Sequence, residues 1–151
     1  MKWEEMRKPP VNDPTCPFCR MVTGAGSASY VWNDPDVFGI MSLEQPTPYK
    51  VLMIPKLHVA SLFDLSDDLA GALFRATVRV ARAIRAASGC PGLNLVQSNG
   101  RAGQQDVFHF HLHIVPRFEN DGIVLAWDNH VVDRSRLDAL AEQIRGHVAH
   151  T

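Results

Sequence analysis

The chain has 151 residues, 46% hydrophobic and 21% charged, the size and balance of one globular domain with a core of its own. Its formal net charge is −1 and its 15 Lys and Arg residues are scattered rather than striped, so it carries no electrostatic footprint for a nucleic-acid backbone, and a nucleotide is expected only as a small molecule. No stretch approaches the roughly 18 apolar residues of a membrane span or resembles a signal peptide, and three cysteines make a poor disulfide framework, so the expectation is a soluble, cytoplasmic protein.

Residues 1–14 are polar, carry Pro9, Pro10 and Pro14 and show no periodicity; they read as a flexible arm, followed by a single domain over 15–151. The domain begins with Cys16-x-x-Cys19, a spacing open to three readings: a redox pair, half of a zinc site, or accident. After a turn-like Thr23–Ser27, Tyr30–Trp32 and Val37–Met41 flank Asn33-Asp34-Pro35-Asp36 as a hairpin would. Gln45-Pro46-Thr47-Pro48 breaks the chain, and Val51–Ile54 is an apolar run stopped by Pro55, as in a buried strand.

From Ser66 to Ser88 the period changes. Leu69, Leu73, Phe74, Val80, Ala81 and Ile84 recur at helical spacing, with Arg75, Arg79, Arg82 and Arg85 largely on other faces. Ser66 can cap the first turn, Asp67 and Asp68 suit its positive end, and Gly89 to Gly92 end the helix. Leu93–Gln97 reads as a strand and Asn99–Gly103 as a loop. Val107–Val115 reads as a further strand closed by Pro116, and Leu137, Leu140, Ala141, Ile144 and Val148 support a last helix over 135–148. Cys90, beside Pro91 in a turn, reads as a small buried hydrophobe; Trp127 is open to covering the site or anchoring the tail, core packing being the commoner fate of a lone tryptophan.

His109-Phe110-His111-Leu112-His113-Ile114-Val115 is the most informative segment. On a strand, residues two apart share a face, so three imidazoles line one side at intervals of about 6.5–7 Å while Phe110, Leu112 and Ile114 enter the core. Two chemistries compete for such a ridge: a metal site, or one imidazole acting as a nucleophile towards phosphorus. Spacing alone does not choose between them.

The seven residues resemble the signature of the histidine-triad family of nucleotide hydrolases and transferases, in which histidines alternate with apolar residues. Cys16-Pro17-Phe18-Cys19, Val51–His58, the long helix, Asn99-Gly100 and Pro116-Arg117 extend the resemblance in order and spacing over roughly residues 15–118. It implies an α+β fold: an antiparallel sheet of about five strands, a long helix and a C-terminal helix, paired into a homodimer. It also implies that His111 attacks the α-phosphorus of a nucleoside phosphoramidate or dinucleoside polyphosphate to form a phosphohistidine, that His113 contacts phosphate or transfers protons, and that Gln105 hydrogen-bonds phosphate. No catalytic metal is required for these roles. In the zinc-containing branch, the ligands would be Cys16, Cys19, His58 and His109, holding a structural ion.

Four positions depart from the family pattern. Ser42 stands where an aspartate receives the ribose hydroxyls, Lys50 where a histidine precedes the strand, Ser98 where asparagine is frequent, and Asp106 where a small hydroxyl faces the phosphate. A carboxylate near phosphate repels it unless Lys50 or Arg101 neutralises it. These departures keep a second class of function open, a nucleotide- or protein-binding regulatory module with little turnover.

Overall fold

The computed structural model describes residues 13–127 and 129–148. Apart from Asp13 and Pro14, the arm expected over 1–14 lies outside the described residues. The chain divides into two compact units between Asp121 and Gly122, whereas the sequence reads as one domain to its end.

The first unit is built on a five-stranded antiparallel sheet in the order β1-β2-β3-β5-β4. β1 (Tyr30–Asn33) and β2 (Val37–Met41) form the expected hairpin, and β3 (Val51–Pro55) adds the apolar run before Pro55. The hairpin turn is fixed by Asp34, whose Oδ1 accepts from the backbone N–H groups of Asp36 and Val37 at 2.9 and 2.7 Å. At Gly39 in β2 an added Cβ would lie 2.9 Å from Met53 Sδ and 3.1 Å from Trp32 Cβ, so the close approach of three strands requires glycine there.

α2 (Asp67–Ser88) covers one face of the sheet. Ser66 Oγ accepts from Leu69 N–H at 3.3 Å, and Gly89, at φ 69°, closes the helix in the left-handed conformation that glycine adopts without strain. Its buried face is Leu73, Ala76, Thr77, Val80 and Ile84, packed on Val37, Met53, Phe110, Leu112, Ile114 and Cys90. Phe74, expected on this face, points outward with Val78; it lies one residue, about 100° of helix, past Leu73.

A short helix that periodicity does not reveal, α1 (Pro17–Val22), begins at the cysteine pair with Pro17 in its first turn, where a missing N–H costs nothing. Cys16, Phe18 and Cys19 pack with Phe38, Ile40, Leu52 and Ile54 in a second core cluster. Because β-strand side chains alternate, Leu52 and its cross-strand partner His113 share the face opposite α2, the face of this second cluster.

β4 (Gly92–Val96) and β5 (Leu112–Arg117) complete the sheet. β5 is shorter at its start than the run Val107–Val115 and continues through Pro116 to Arg117. The ladders end at Met53–Leu112 on one side and Val96–His113 on the other. Pro55, two residues beyond Met53, has no N–H to offer a further rung. Residues 105–110 are instead tied to the segment after β3: Phe110 N–H donates to Val59 O at 2.7 Å and Gln105 Nε2 to Ala60 O at 2.6 Å.

In the second unit, α3 (Arg134–Val148) forms where the apolar spacing predicts a helix, but Leu137, Leu140, Ile144 and Val148 are exposed. Trp127 is also exposed, not packed in a core. Among the described residues, no helix is long and apolar enough to cross a membrane.

Candidate active site and metal centre

Cys16 precedes α1, Cys19 lies within it, His58 follows β3 and His109 precedes β5. Their ligand atoms all lie within 4.8 Å of one another. Cys16 Sγ is 3.4 Å and Cys19 Sγ 3.6 Å from His109 Nδ1, and Cys19 Sγ is 3.1 Å from His58 Nδ1. Bond lengths of about 2.3 Å to sulfur and 2.0–2.1 Å to nitrogen give a tetrahedral zinc site edges of roughly 3.3–3.8 Å, so this donor set fits the ion.

The tautomer fits too. His109 Nε2 lies 2.8 Å from the Pro55 carbonyl, which only accepts, so Nε2 carries the proton and Nδ1 turns its lone pair to the sulfurs. Pro55 thus supplies the acceptor that orients this donor. Burial pushes His109 down to about 4 and the Cys19 thiol up to about 11. Both shifts arise because a dry pocket disfavours charge, and a bound dication reverses that preference for the thiols.

His111 lies just beyond the end of both ladders. Its Nδ1 is 2.8 Å from the His109 carbonyl and must donate to it, which leaves the Nε2 lone pair for an electrophile. The ring is buried, with Phe18 5.2 Å away and His113 4.9 Å away, both edge-on, and Phe18 also meets His109 at 5.7 Å. Phe18, whose role the sequence does not announce, therefore backs the first two histidines from α1. His113 is the first residue of β5 to be paired on both sides, with Leu52 and Val96. Burial, then the neighbouring His111 and Lys50, lower its pKa to about 4, so it is a neutral donor or acceptor at neutral pH.

Around this pair the expected substrate contacts fare differently. Gln105 is buried, and its amide is committed to the protein: Oε1 accepts from Gly100 N–H at 2.8 Å, while Nε2 donates to Ala60 O and Val107 O. The role of phosphate donor expected of Gln105 does not fit this geometry, because both amide hydrogens already have carbonyl partners; the side chain braces the loop before His109. Asp106, in contrast, faces the nucleophile, with Oδ1 3.8 Å from His111 Nε2. Its carboxyl is held below the usual range, first by the Val107 N–H it accepts at 2.8 Å and further by His111 and His113. Arg101 does not neutralise it; the guanidinium lies 5.9 Å over the Phe108 ring.

Ser42 follows β2 at a cavity of about 460 Å³ shared with Met41, Gln45, Pro48 and Tyr49. Gln45 clamps this loop by bonding Ser42 O and both backbone groups of Lys50. Ser98 follows β4, half-buried, two residues past the partner of His113.

The HIT domain family model matches residues 25–120. The chain belongs to the HIT family. It is 36% identical over 119 residues to protein hit of Bacillus subtilis, covering 78% of this chain and 82% of that one. An adenylylsulfatase of Arabidopsis thaliana is 30% identical over 131 residues, 85% of this chain and 65% of its own. An adenosine 5'-monophosphoramidase of Schizosaccharomyces pombe is 28% identical over 131 residues, 86% of this chain and 96% of its own.

Among solved structures, a HIT family protein from Bacillus anthracis superposes with a TM-score of 0.84 at 34% identity, covering 88% of this chain and 96% of that one. A zinc-bound histidine-triad family protein from Mycobacterium smegmatis gives 0.69 at 32% identity, covering 77% and 84%. The α+β fold expected from the resemblance is the one observed. A zinc-bound relative accords with a four-donor corner that could hold this ion.

Proposed function

We propose that this HIT protein is a nucleotide hydrolase or transferase acting at the α-phosphate of a nucleoside phosphoramidate or dinucleoside polyphosphate through a phosphohistidine at His111. The observation that carries the reading is the 2.8 Å bond from His111 Nδ1 to the His109 carbonyl, which fixes the tautomer and leaves Nε2 free. Relatives named as an adenosine monophosphoramidase and an adenylylsulfatase support the general class. His111 Nε2 adds to phosphorus as the leaving group departs, and water then attacks the same phosphorus and breaks the bond to Nε2. Neutral His113 donates to or accepts from the phosphoryl oxygens.

Zinc, where bound by Cys16, Cys19, His58 and His109, supplies a fixed tetrahedral junction between α1, the segment after β3 and the histidine segment. His109 is then structural, and its carbonyl holds His111. Two copies pairing along β4 would extend the sheet: β4 is an edge strand whose Leu95 and Val96 are exposed.

The test is a panel of adenosine and guanosine phosphoramidates and diadenosine polyphosphates with wild type and His111→Asn. Turnover should fall at least about 10³-fold in the variant with folding nearly intact. Binding without turnover by wild type across the panel would favour the regulatory module; near-normal turnover by His111→Asn would remove the mechanism.

A further inference from the structure

Asp106 stands at the mouth of the site, its side chain 84% exposed and one oxygen 3.8 Å from His111 Nε2. Among the described residues, no lysine or arginine ion-pairs with it, and Arg101 is engaged over Phe108. Lys50 is the cation of the site. It directly precedes β3, two residues before Leu52, the partner of His113, and its charge reaches His113. A phosphorus atom at Nε2 therefore has a carboxylate on the loop beside it and a lysine, just before β3, near the adjoining His113.

Those two charges sort the parts of a substrate. Non-bridging phosphoryl oxygens are anionic and are attracted by Lys50, whereas Asp106 repels them and repels a departing phosphate or sulfate as well. The one positive part of a reacting phosphoramidate is its nitrogen once protonated. Resting on the His111 reading above, we propose that Asp106 selects the leaving group by charge, accepting a hydrogen bond from a protonated amine on the α-phosphorus and disfavouring anionic leaving groups.

In this step the Nε2 lone pair forms the new P–N bond and the bond to the amine breaks. Its electron pair stays on the departing nitrogen, which leaves as the neutral amine because it was protonated beforehand. Water then attacks phosphorus, the P–Nε2 bond breaks with its electrons returning to His111, and the proton released from water passes to solvent. The exposed carboxylate lies in open contact with that solvent.

The experiment uses adenosine and guanosine 5'-phosphoramidates of three amines of similar length: ethylenediamine with a cationic tail, propylamine with a neutral tail, and β-alanine with an anionic tail. Wild type, Asp106→Asn and Asp106→Ser are compared by kcat/KM. In wild type the order should be cationic, neutral, anionic, with about tenfold per unit of tail charge, between the limits set by water-like and surface-like screening. The spread should shrink at high salt, since the carboxylate is exposed. Both variants should flatten the series to within a few fold.

Turnover with no charge order in wild type, or an order unchanged in both variants, would overturn the proposal and leave the His111 reading standing. A wild type that turns over no member of either series would overturn this inference; turnover of a diadenosine polyphosphate by the same preparation would leave the His111 reading standing, and none would defeat both. Thermal melting of the two variants checks that they fold; the hydrogen bond described for the carboxylate is to the neighbouring Val107 N–H.

Discussion

The two ends of the histidine segment are built to different rules. At His109, four donors from three parts of the chain lie within 4.8 Å of one another, three of them buried and His58 half-buried, and a backbone carbonyl sets the tautomer. Around His113 the surroundings are looser: a lysine just before β3 and a half-buried Ser42 joined through backbone bonds to Gln45, a carboxylate exposed on a loop, and a half-buried Ser98. A buried corner must satisfy its polar groups within the protein, so its residues constrain one another. A rim is completed by its ligand, so its residues are free to vary with what they bind.

The sharpest break between the two ends is removal of the metal set. Cys16→Ser with Cys19→Ser should abolish binding of about one zinc per subunit and lower the melting temperature by about 10 °C or more, since binding energy of a structural ion is folding energy. Metal analysis and melting curves check this; reduced wild type carrying no transition metal would erase the distinction.

The next effect is an acid limb. In metal-free protein, His109 and His113 both fall to about 4 on folding, against 6.5 unfolded. Each lowered value means that the fold favours the neutral ring. The stabilisation is complete above about pH 6.5 and is lost as pH falls through 4, because the unfolded chain takes up protons that the folded one refuses. Denaturant titrations from pH 7 to 4 should show the loss, and His113→Gln should remove its share.

Gln105 belongs with the buried corner although it lies beside the rim. Gln105→Ala leaves the Gly100, Ala60 and Val107 backbone groups without a partner and should cost about 2 kcal/mol. If the amide instead served phosphate alone, stability would be unchanged and only substrate affinity would fall.

The smallest effect sharpens the rim. Ser42→Asp with Asp106→Ser restores a ribose acceptor and removes a charge from the phosphate edge, so binding of adenosine or guanosine monophosphate should tighten about tenfold, or 1.4 kcal/mol. The Asp106 share should fade with salt and the Ser42 share should not. Calorimetry at two ionic strengths separates them, and no gain in the double variant would show that these positions do not meet ribose and phosphate.

What the sequence made legible follows the same division. The hairpin at Asp34 and the capped helix from Ser66 to Gly89 could be read because each depends on local chemistry, whereas the cysteine pair is open to three readings and is joined to His58 and His109 only through the family resemblance. The start of β5 could not: the alternation from Val107 looks like strand throughout, and only the missing N–H of Pro55, distant in sequence, explains why the ladder stops at Leu112. α1 is too short for its periodicity to show, and Phe74 lies one position off the buried stripe. Gln105 carried the right residue type for phosphate, yet its partners Ala60 and Gly100 are set by tertiary structure that no local pattern records.

The proposed function turns on His111 taking the nucleotide covalently. The direct measurement is mass spectrometry of peptides from enzyme quenched in alkali during turnover of an adenosine phosphoramidate. A nucleotidyl mass should appear on the peptide carrying His111, formed as fast as product appears and absent from His111→Asn. Steady turnover with no adduct on His111, retained when the residue is asparagine, would contradict it.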